Sequence, residues 1–257
     1  MTAVQHSWFM TVRHLRALWR QPWWIVVTLI QPIIWLLLYG ALFRKVVEIP
    51  GFHGGSYIEF LTPGVLVMTA FFSAGWSGMP MIEDIDRGVV DRFLTSPVKR
   101  SALISGRLLQ GSLSIVIQSI IIIVLALITG ASFDNGVGGV ALLILFATIL
   151  GASFGALSNG MALLIRREET LIAAMQFLLL PLTFLSGAFM QLSLVPGWIR
   201  HIAGFNPVNW AVEAGRSAAM GNTDWGFVAS RAGFLLAFLA VSTTFAVRAF
   251  RTYQRSV

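Results

Sequence analysis

The sequence predicts an all-α integral membrane protein with six transmembrane helices. Three observations carry that prediction. Only 11% of the 257 residues are charged, against about 25% in a soluble domain. The mean hydropathy is +0.79. The apolar residues also gather into six runs, each long enough for the roughly 20 residues a helix needs to cross the hydrocarbon core. The runs are 23–43, 60–82, 106–130, 138–165, 171–192 and 227–247, and they form one transmembrane domain over 23–257. Three further elements are expected: an N-terminal amphipathic interfacial helix at 1–22, a cytoplasmic helix at 83–96, and short re-entrant helices within 193–221.

In the first element, Val4, Trp8, Val12, Leu15 and Trp19 recur at helical steps, with Arg13, His14, Arg16 and Arg20 elsewhere around the helix. That is the pattern of a basic helix lying in the inner headgroup layer. Pro22 ends it, and Trp23–Trp24 mark the water–lipid interface. The run that follows is too long, and too late after an amphipathic leader, to be a cleaved signal peptide. Lys and Arg set the expected orientation. With a cytoplasmic amino terminus, 13 of the 18 fall inside and five outside, namely Arg44, Lys45, Arg200, Arg216 and Arg231. Six spans then leave both termini in the cytoplasm of a multi-pass protein of a cytoplasmic (inner) membrane, expected to be bacterial.

Between the second and third runs lies EDIDRGVVDRFLTSPVKR, residues 83–100, with four acidic and four basic residues. As a helix from Glu83 it places Ile85, Val89 and Phe93 at i+4 steps with Val90 and Leu94 beside them, and charges cover the rest. Glu83 stands four residues before Arg87, the favourable order for an ion pair. Pro97 disfavours further helix, and Lys99, Arg100 and Arg107 anchor the entry to the third run. A short amphipathic element held at both ends by spans can transmit force from a partner.

After the fifth run, residues 193–221 are apolar but interrupted at Pro196–Gly197 and Asn206–Pro207. Two short helical pieces in the outer leaflet fit, provided their freed backbone groups face protein or water. Glu213 and Arg216, three residues apart, are spaced to pair on one face.

The missing chemistry narrows function. The interiors of the six runs hold no Asp, Glu, Lys, Arg or His, so a proton- or sodium-coupled carrier lacks the residue it would need. The lysines are Lys45 and Lys99, neither in a Gly-Lys-Ser/Thr phosphate loop. His6, His14, His53 and His201 have no metal-ligand spacing, cysteine is absent, and no Gly-x-Ser-x-Gly elbow occurs. No catalytic residue, metal or cofactor is expected on this chain. The net charge of +7 sits at the ends of apolar runs and points to lipid headgroups rather than nucleic acid. Any motor must reside on another chain.

The charged stretch resembles the cytoplasmic loop of membrane subunits of type 2 ATP-binding-cassette exporters, the group similar to daunorubicin-resistance permeases. Asp86, Arg87, Gly88, Asp91, Arg92, Phe93, Pro97, Arg100, Gly106 and Arg107 hold the places of that loop. A second block is similar at Ser186, Phe189, Pro196, Gly197, Trp198, Pro207, Val208, Glu213 and Arg216. One departure is Phe189–Met190–Gln191, where many relatives carry a proline soon after the phenylalanine. With the six-run plan and the leader, the resemblance covers nearly the whole chain. It implies a permease working as a homodimer or heterodimer above two nucleotide-binding ATPase subunits, which would hold ATP and Mg. It makes 83–96 a coupling helix, with Glu83, Ile85, Asp86, Arg87, Gly88, Val89, Asp91, Arg92, Phe93, Leu94, Pro97 and Arg100 facing the ATPase. It also implies export.

For cargo, the polar span residues Gln31, Gln118, Asn159, Gln176 and Ser186 are the candidates for a substrate path. A mainly apolar lining suits hydrophobic or amphiphilic small molecules, as in drug or antibiotic efflux. A lipid or lipid-linked polysaccharide is the alternative cargo. An ion-coupled carrier and a non-transporting scaffold are the remaining classes.

Overall fold

The computed structural model describes residues 29–50, 52, 55–89, 101–221 and 223–255. The expected interfacial helix 1–22 and the opening of the first run lie outside these residues, as do positions 90–100. Among the described residues there are helices and turns and no strand.

The described part of helix α1 (Leu29–Leu42) is apolar, and its stretch Trp35–Tyr39 is wound as a π-helix. Helix α2 (Tyr57–Gly75) starts in a capping box: the Glu59 amide donates to Ser56 Oγ and the Ser56 amide to Glu59 Oε2. A 3-10 turn at Trp76–Gly78 joins it to α3 (Met79–Asp86), so that Tyr57–Asp86 forms one 30-residue rod. The tight turn falls where Pro80 has no N–H to give the preceding turn. Its freed groups go instead to Ser158: the Gly78 amide donates to Ser158 Oγ at 3.0 Å, and that hydroxyl donates to the Gly75 carbonyl at 2.5 Å.

Helices α4 (Ser101–Ile128) and α5 (Gly136–Ile165) follow. The turn between them is fastened to the start of α2, because Glu59 Oε1 accepts from the Ser132 amide and hydroxyl. Helix α6 (Glu168–Phe184) opens on Glu168 and Glu169, which complement the helix dipole. Two short helices, α7 (Gly197–Ala203) and α8 (Pro207–Ala219), precede the long α9 (Trp225–Arg255), which Asp224 caps through the Gly226 and Phe227 amides.

The bundle is organised around α5, which packs against α9, α8, α2 and α4. Small residues permit that centrality. A Cβ on Gly151 would run into Ile115 of α4, and one on Gly160 would meet Phe245 and Ala246 of α9. Phe71 of α2 and Phe154 of α5 stack edge-to-face at 4.4 Å in the core. Large apolar side chains such as Val137, Phe177 and Val241 remain exposed, as expected of a surface that faces lipid or another chain.

Among the described residues, four helices are long and apolar enough to cross a membrane: Tyr57–Asp86, Gly106–Ile128, Gly136–Ile165 and Trp225–Arg255. Two expectations need correction. The fifth run does not stay helical to 192. Helix α6 stops at Phe184 after 17 residues, because the carbonyls of Leu182 and Leu185 are taken by the side chain of Asn206 rather than by later amides. Nor does one helix begin at Glu83 and continue without a break past Gly88. Glu83–Asp86 is the end of the α2–α3 rod, and Gly88, at φ +66, turns the chain off in the left-handed conformation that closes helices. Ile85 and Val89 therefore do not continue one helical face.

The contact at Gly78 gives a stability prediction. A Cβ there would lie 2.5 Å from the Ser158 carbonyl oxygen, which backbone cannot easily yield. Gly78→Val is expected to destabilise the purified protein by about 1–3 kcal/mol, read as a lower midpoint of thermal unfolding in detergent. Gly233→Ala, in open space on α9, serves as the control and should not lower the midpoint.

Candidate functional site

At the end of the α2–α3 rod, Glu83, Asp86 and Arg87 are exposed. Glu83 accepts from Arg87 at 2.7 Å, one turn apart. Asp84 faces the other way and pairs with Arg107 at the start of α4. Arg107 is the more buried partner, with its side chain only 13% exposed. This ion pair closes the neck of the charged excursion, drawing together its departure from α3 and its return to α4. Ile85 packs against the bundle's own core, and Val89 is half-buried. Asp91, Arg92, Phe93, Leu94, Pro97 and Arg100 lie outside the described residues.

The second block forms a latch around the end of α6. Asn206 caps α8 by accepting from the Val208 amide, while its Nδ2 donates to the carbonyls of Leu182 and Leu185, each at 2.7 Å. One turn on, Asn209 Oδ1 accepts from the Gly187 amide at 2.9 Å. Two turns further, Arg216 donates to the carbonyls of Phe60 and Gly187 and lies 3.8 Å over the Phe60 ring. Tyr57 completes the latch by donating to the Phe189 carbonyl. Pro196 and Gly197 start α7, and Trp198 on it is exposed. Pro207 occupies the first position of α8, where its missing N–H costs nothing. Glu213 does not pair with Arg216. Its partner is Arg231 at 3.0 Å, six residues into α9, while Arg216 is turned toward backbone carbonyls.

The five polar span residues do not converge. Gln31 and Gln118 line one cavity of about 130 Å³ between α1, α2 and α4. Asn159 is buried and engaged, with Nδ2 donating to Ser77 Oγ and the Gly155 carbonyl. It belongs with Ser158 to the seam that holds the rod on α5. Ser186 Oγ donates to the Thr183 carbonyl at the end of α6. Gln176 is exposed on the outer face of α6. Sequence reasoning missed Asn209, Arg231 and the partnership of Asp84 with Arg107. For Asn209 the signal was present: an amide three residues after another in a small, apolar helix.

The profile of the ABC-2 type transporter family matches residues 5–220. The chain belongs to that family. It is 33% identical over 214 residues to the putative transport permease ycf38 of Porphyra purpurea, covering 82% of this chain and 72% of the relative. It is 28% identical over 245 residues to the daunorubicin resistance ABC transporter permease protein DrrB1 of Streptomyces coeruleorubidus, covering 93% and 83%. The inner membrane transport permease YadH of Escherichia coli is 24% identical over 230 residues, covering 86% and 84%. These relatives are transport permeases, and this chain is a membrane permease of the ABC-2 type. The neck and the latch both lie inside the matched region.

Arg216→Met keeps volume and removes the donors, leaving the Phe60 carbonyl with only its place in the α2 ladder and the Gly187 carbonyl, outside any helix, without its donor. Each buried unsatisfied group costs about 1–3 kcal/mol, so this variant should unfold at clearly lower temperature in detergent. Arg216→Lys should rescue only in part, because an ammonium lacks the planar fork.

Proposed function

We propose that this chain is the permease half of an ATP-driven exporter that moves hydrophobic or amphiphilic small molecules out across the cytoplasmic membrane. The observation that carries the reading is the clamped neck. An exposed charged tip, at Glu83, Asp86 and Arg87, projects from a rod whose base is locked to the next helix by Asp84 and Arg107. Force applied to such a tip moves α3 and α4 together rather than bending a loop. The partner is a nucleotide-binding ATPase, two copies serving two permease chains, with ATP and Mg held there. The residues Gly88–Arg100 form the docking element, Phe93 and Leu94 its apolar anchor, and Arg87, Asp91 and Arg92 its register.

The topology is six spans with both termini cytoplasmic. Helix α1 belongs to the first span and α6 is a short one; 17 residues of α6 reach about 26 Å, near the thickness of the hydrocarbon core. Helix alternation puts the ends of α3 and α9, the α5–α6 junction and the start of α4 on one side. That side collects Arg87, Arg107, Arg166, Arg167, Arg248 and Arg251, in keeping with a cytoplasmic face. Helices α7 and α8 dip into the outer leaflet, their backbone served by the latch. The apolar lining and the relation to a daunorubicin resistance permease favour drug-like cargo. Closure of the ATPases then rocks the two permease halves and opens a path outward.

A mild-detergent pull-down from native membranes, with ATPase activity assayed in the eluate, tests the reading. A stoichiometric ATPase is expected. Gly88→Pro combined with Phe93→Ala should cut it by tenfold or more while insertion is unchanged, since proline cannot adopt the positive φ that Gly88 uses. A folded wild-type chain that brings down no ATPase would refute the separate motor.

A further inference from the structure

The cavity between α1, α2 and α4 has features that helix packing alone does not explain. Its apolar walls are Trp35, Met68, Phe72 and Trp76, with Gln31 and Gln118 as amides among them. Trp35 stands edge-on to Phe72 and begins the π-helical stretch of α1, a local widening that recurs at functional sites. Gln118 is 92% buried, being 8% exposed, and its Oε1 has no hydrogen-bond partner. Of the other polar side chains on the walls, Gln31, Thr69 and Ser73, Thr69 is already committed to its own helix through the Val65 carbonyl.

Depth makes the unpaired amide significant. Gln118 lies near the middle of the candidate span Gly106–Ile128, and Thr69 and Phe72 near the middle of Tyr57–Asp86. At that level bulk water is not available to satisfy an amide. The volume of about 130 Å³ matches one aromatic ring, since cavities of about 150 Å³ accept benzene. A single water, about 30 Å³ of liquid, would leave most of it empty. An acyl chain would fill the space and leave the amide unpaired. A hydroxyl on a ring satisfies both demands, and as donor and acceptor at once it suits either orientation of the amide.

We infer that this cavity is a binding subsite for a ring-sized apolar group carrying a hydroxyl, held by the aromatic walls and by Gln118. The site is too small for a whole polycyclic drug, so it would seat one hydroxylated ring of a larger cargo molecule. Assigning that ring to cargo rests on the export reading; the binding itself does not.

The test uses the full chain in lipid nanodiscs without any ATPase, with 4-fluorophenol and 4-fluorotoluene as fluorine-NMR probes and empty nanodiscs as the reference. Saturable binding is expected, with fluorophenol favoured about tenfold, the discrimination one hydrogen bond supplies. Gln118→Leu should abolish that preference while still admitting fluorotoluene. Ser73→Leu, on the cavity wall, should exclude both probes, and it keeps the test open if the Gln118 variant does not fold. Absence of saturable binding above the empty discs, or a preference that survives Gln118→Leu, would overturn the subsite. If no ATPase co-purifies yet the fluorophenol preference holds, the export reading falls and the subsite stands; the reverse pattern removes the subsite alone.

Discussion

The arrangement of the end of the bundle that carries α7 and α8 depends on one constraint: a backbone carbonyl released from a helix inside an apolar bundle must find a donor. Helix α6 releases several by ending at Phe184. Asn206 and Arg216 meet that need from the start and the body of α8, Asn209 between them accepts from the Gly187 amide, and the guanidinium reaches across to the Phe60 carbonyl on α2 as well. A single helix of 13 residues thereby fixes where α6 stops, how 185–191 turns, and how close α2 lies. The packing follows from those bonds. Gly64 sits so near the Ala188 carbonyl that no side chain fits between them.

The same logic operates at the other end with fewer atoms. Pro80 breaks the ladder of the α2–α3 rod, and one hydroxyl, Ser158 Oγ, accepts from Gly78 and donates to Gly75. Asn159 adds the Ser77 contact beside it. A break that would ordinarily be a hinge is thus sewn to α5, the helix around which the bundle packs. The rod can change direction at Trp76–Gly78 without becoming pliable there, because its unpaired groups are held by a neighbour rather than by water.

Hydropathy read the helices well where the chain is apolar from end to end: 138–165 was expected and Gly136–Ile165 found. It failed at 171–192, since nothing about Leu185–Gln191 is polar enough to signal that side chains more than 20 residues later would capture the end of α6. Local spacing likewise favoured a Glu213–Arg216 pair, yet i,i+3 neighbours on a helix gain little. Arg216 gains more from two buried carbonyls, and Glu213 from Arg231 on the adjacent helix. The polar residues of the spans were identifiable as a set, but only three-dimensional placement separates Asn159, which holds a seam, from Gln118, which faces a cavity. The charged stretch was legible as an excursion between spans. Its clamp was not, because Asp84 and Arg107 are 23 residues apart.

The clamp and the cavity are joined by the two helices that carry both. The rod bears Asp84 at the neck and Trp76, Phe72 and Met68 on the cavity wall; α4 bears Arg107 at the neck and Gln118 on the opposite wall. At a rise of about 1.5 Å per residue, the neck lies about 12 Å from Trp76 along one helix and about 16 Å from Gln118 along the other. Motion of the charged tip cannot shear those helices past each other at the neck, where the ion pair binds them. It must tilt them as a unit against α1 and α5. The rod is fastened to α5 at Ser158, so the yielding surface is the one toward α1, where Trp35 and Gln31 line the cavity. On the proposed coupling, a force applied at Glu83–Arg87 would be delivered to the α1 wall, the side that carries the π-helical stretch.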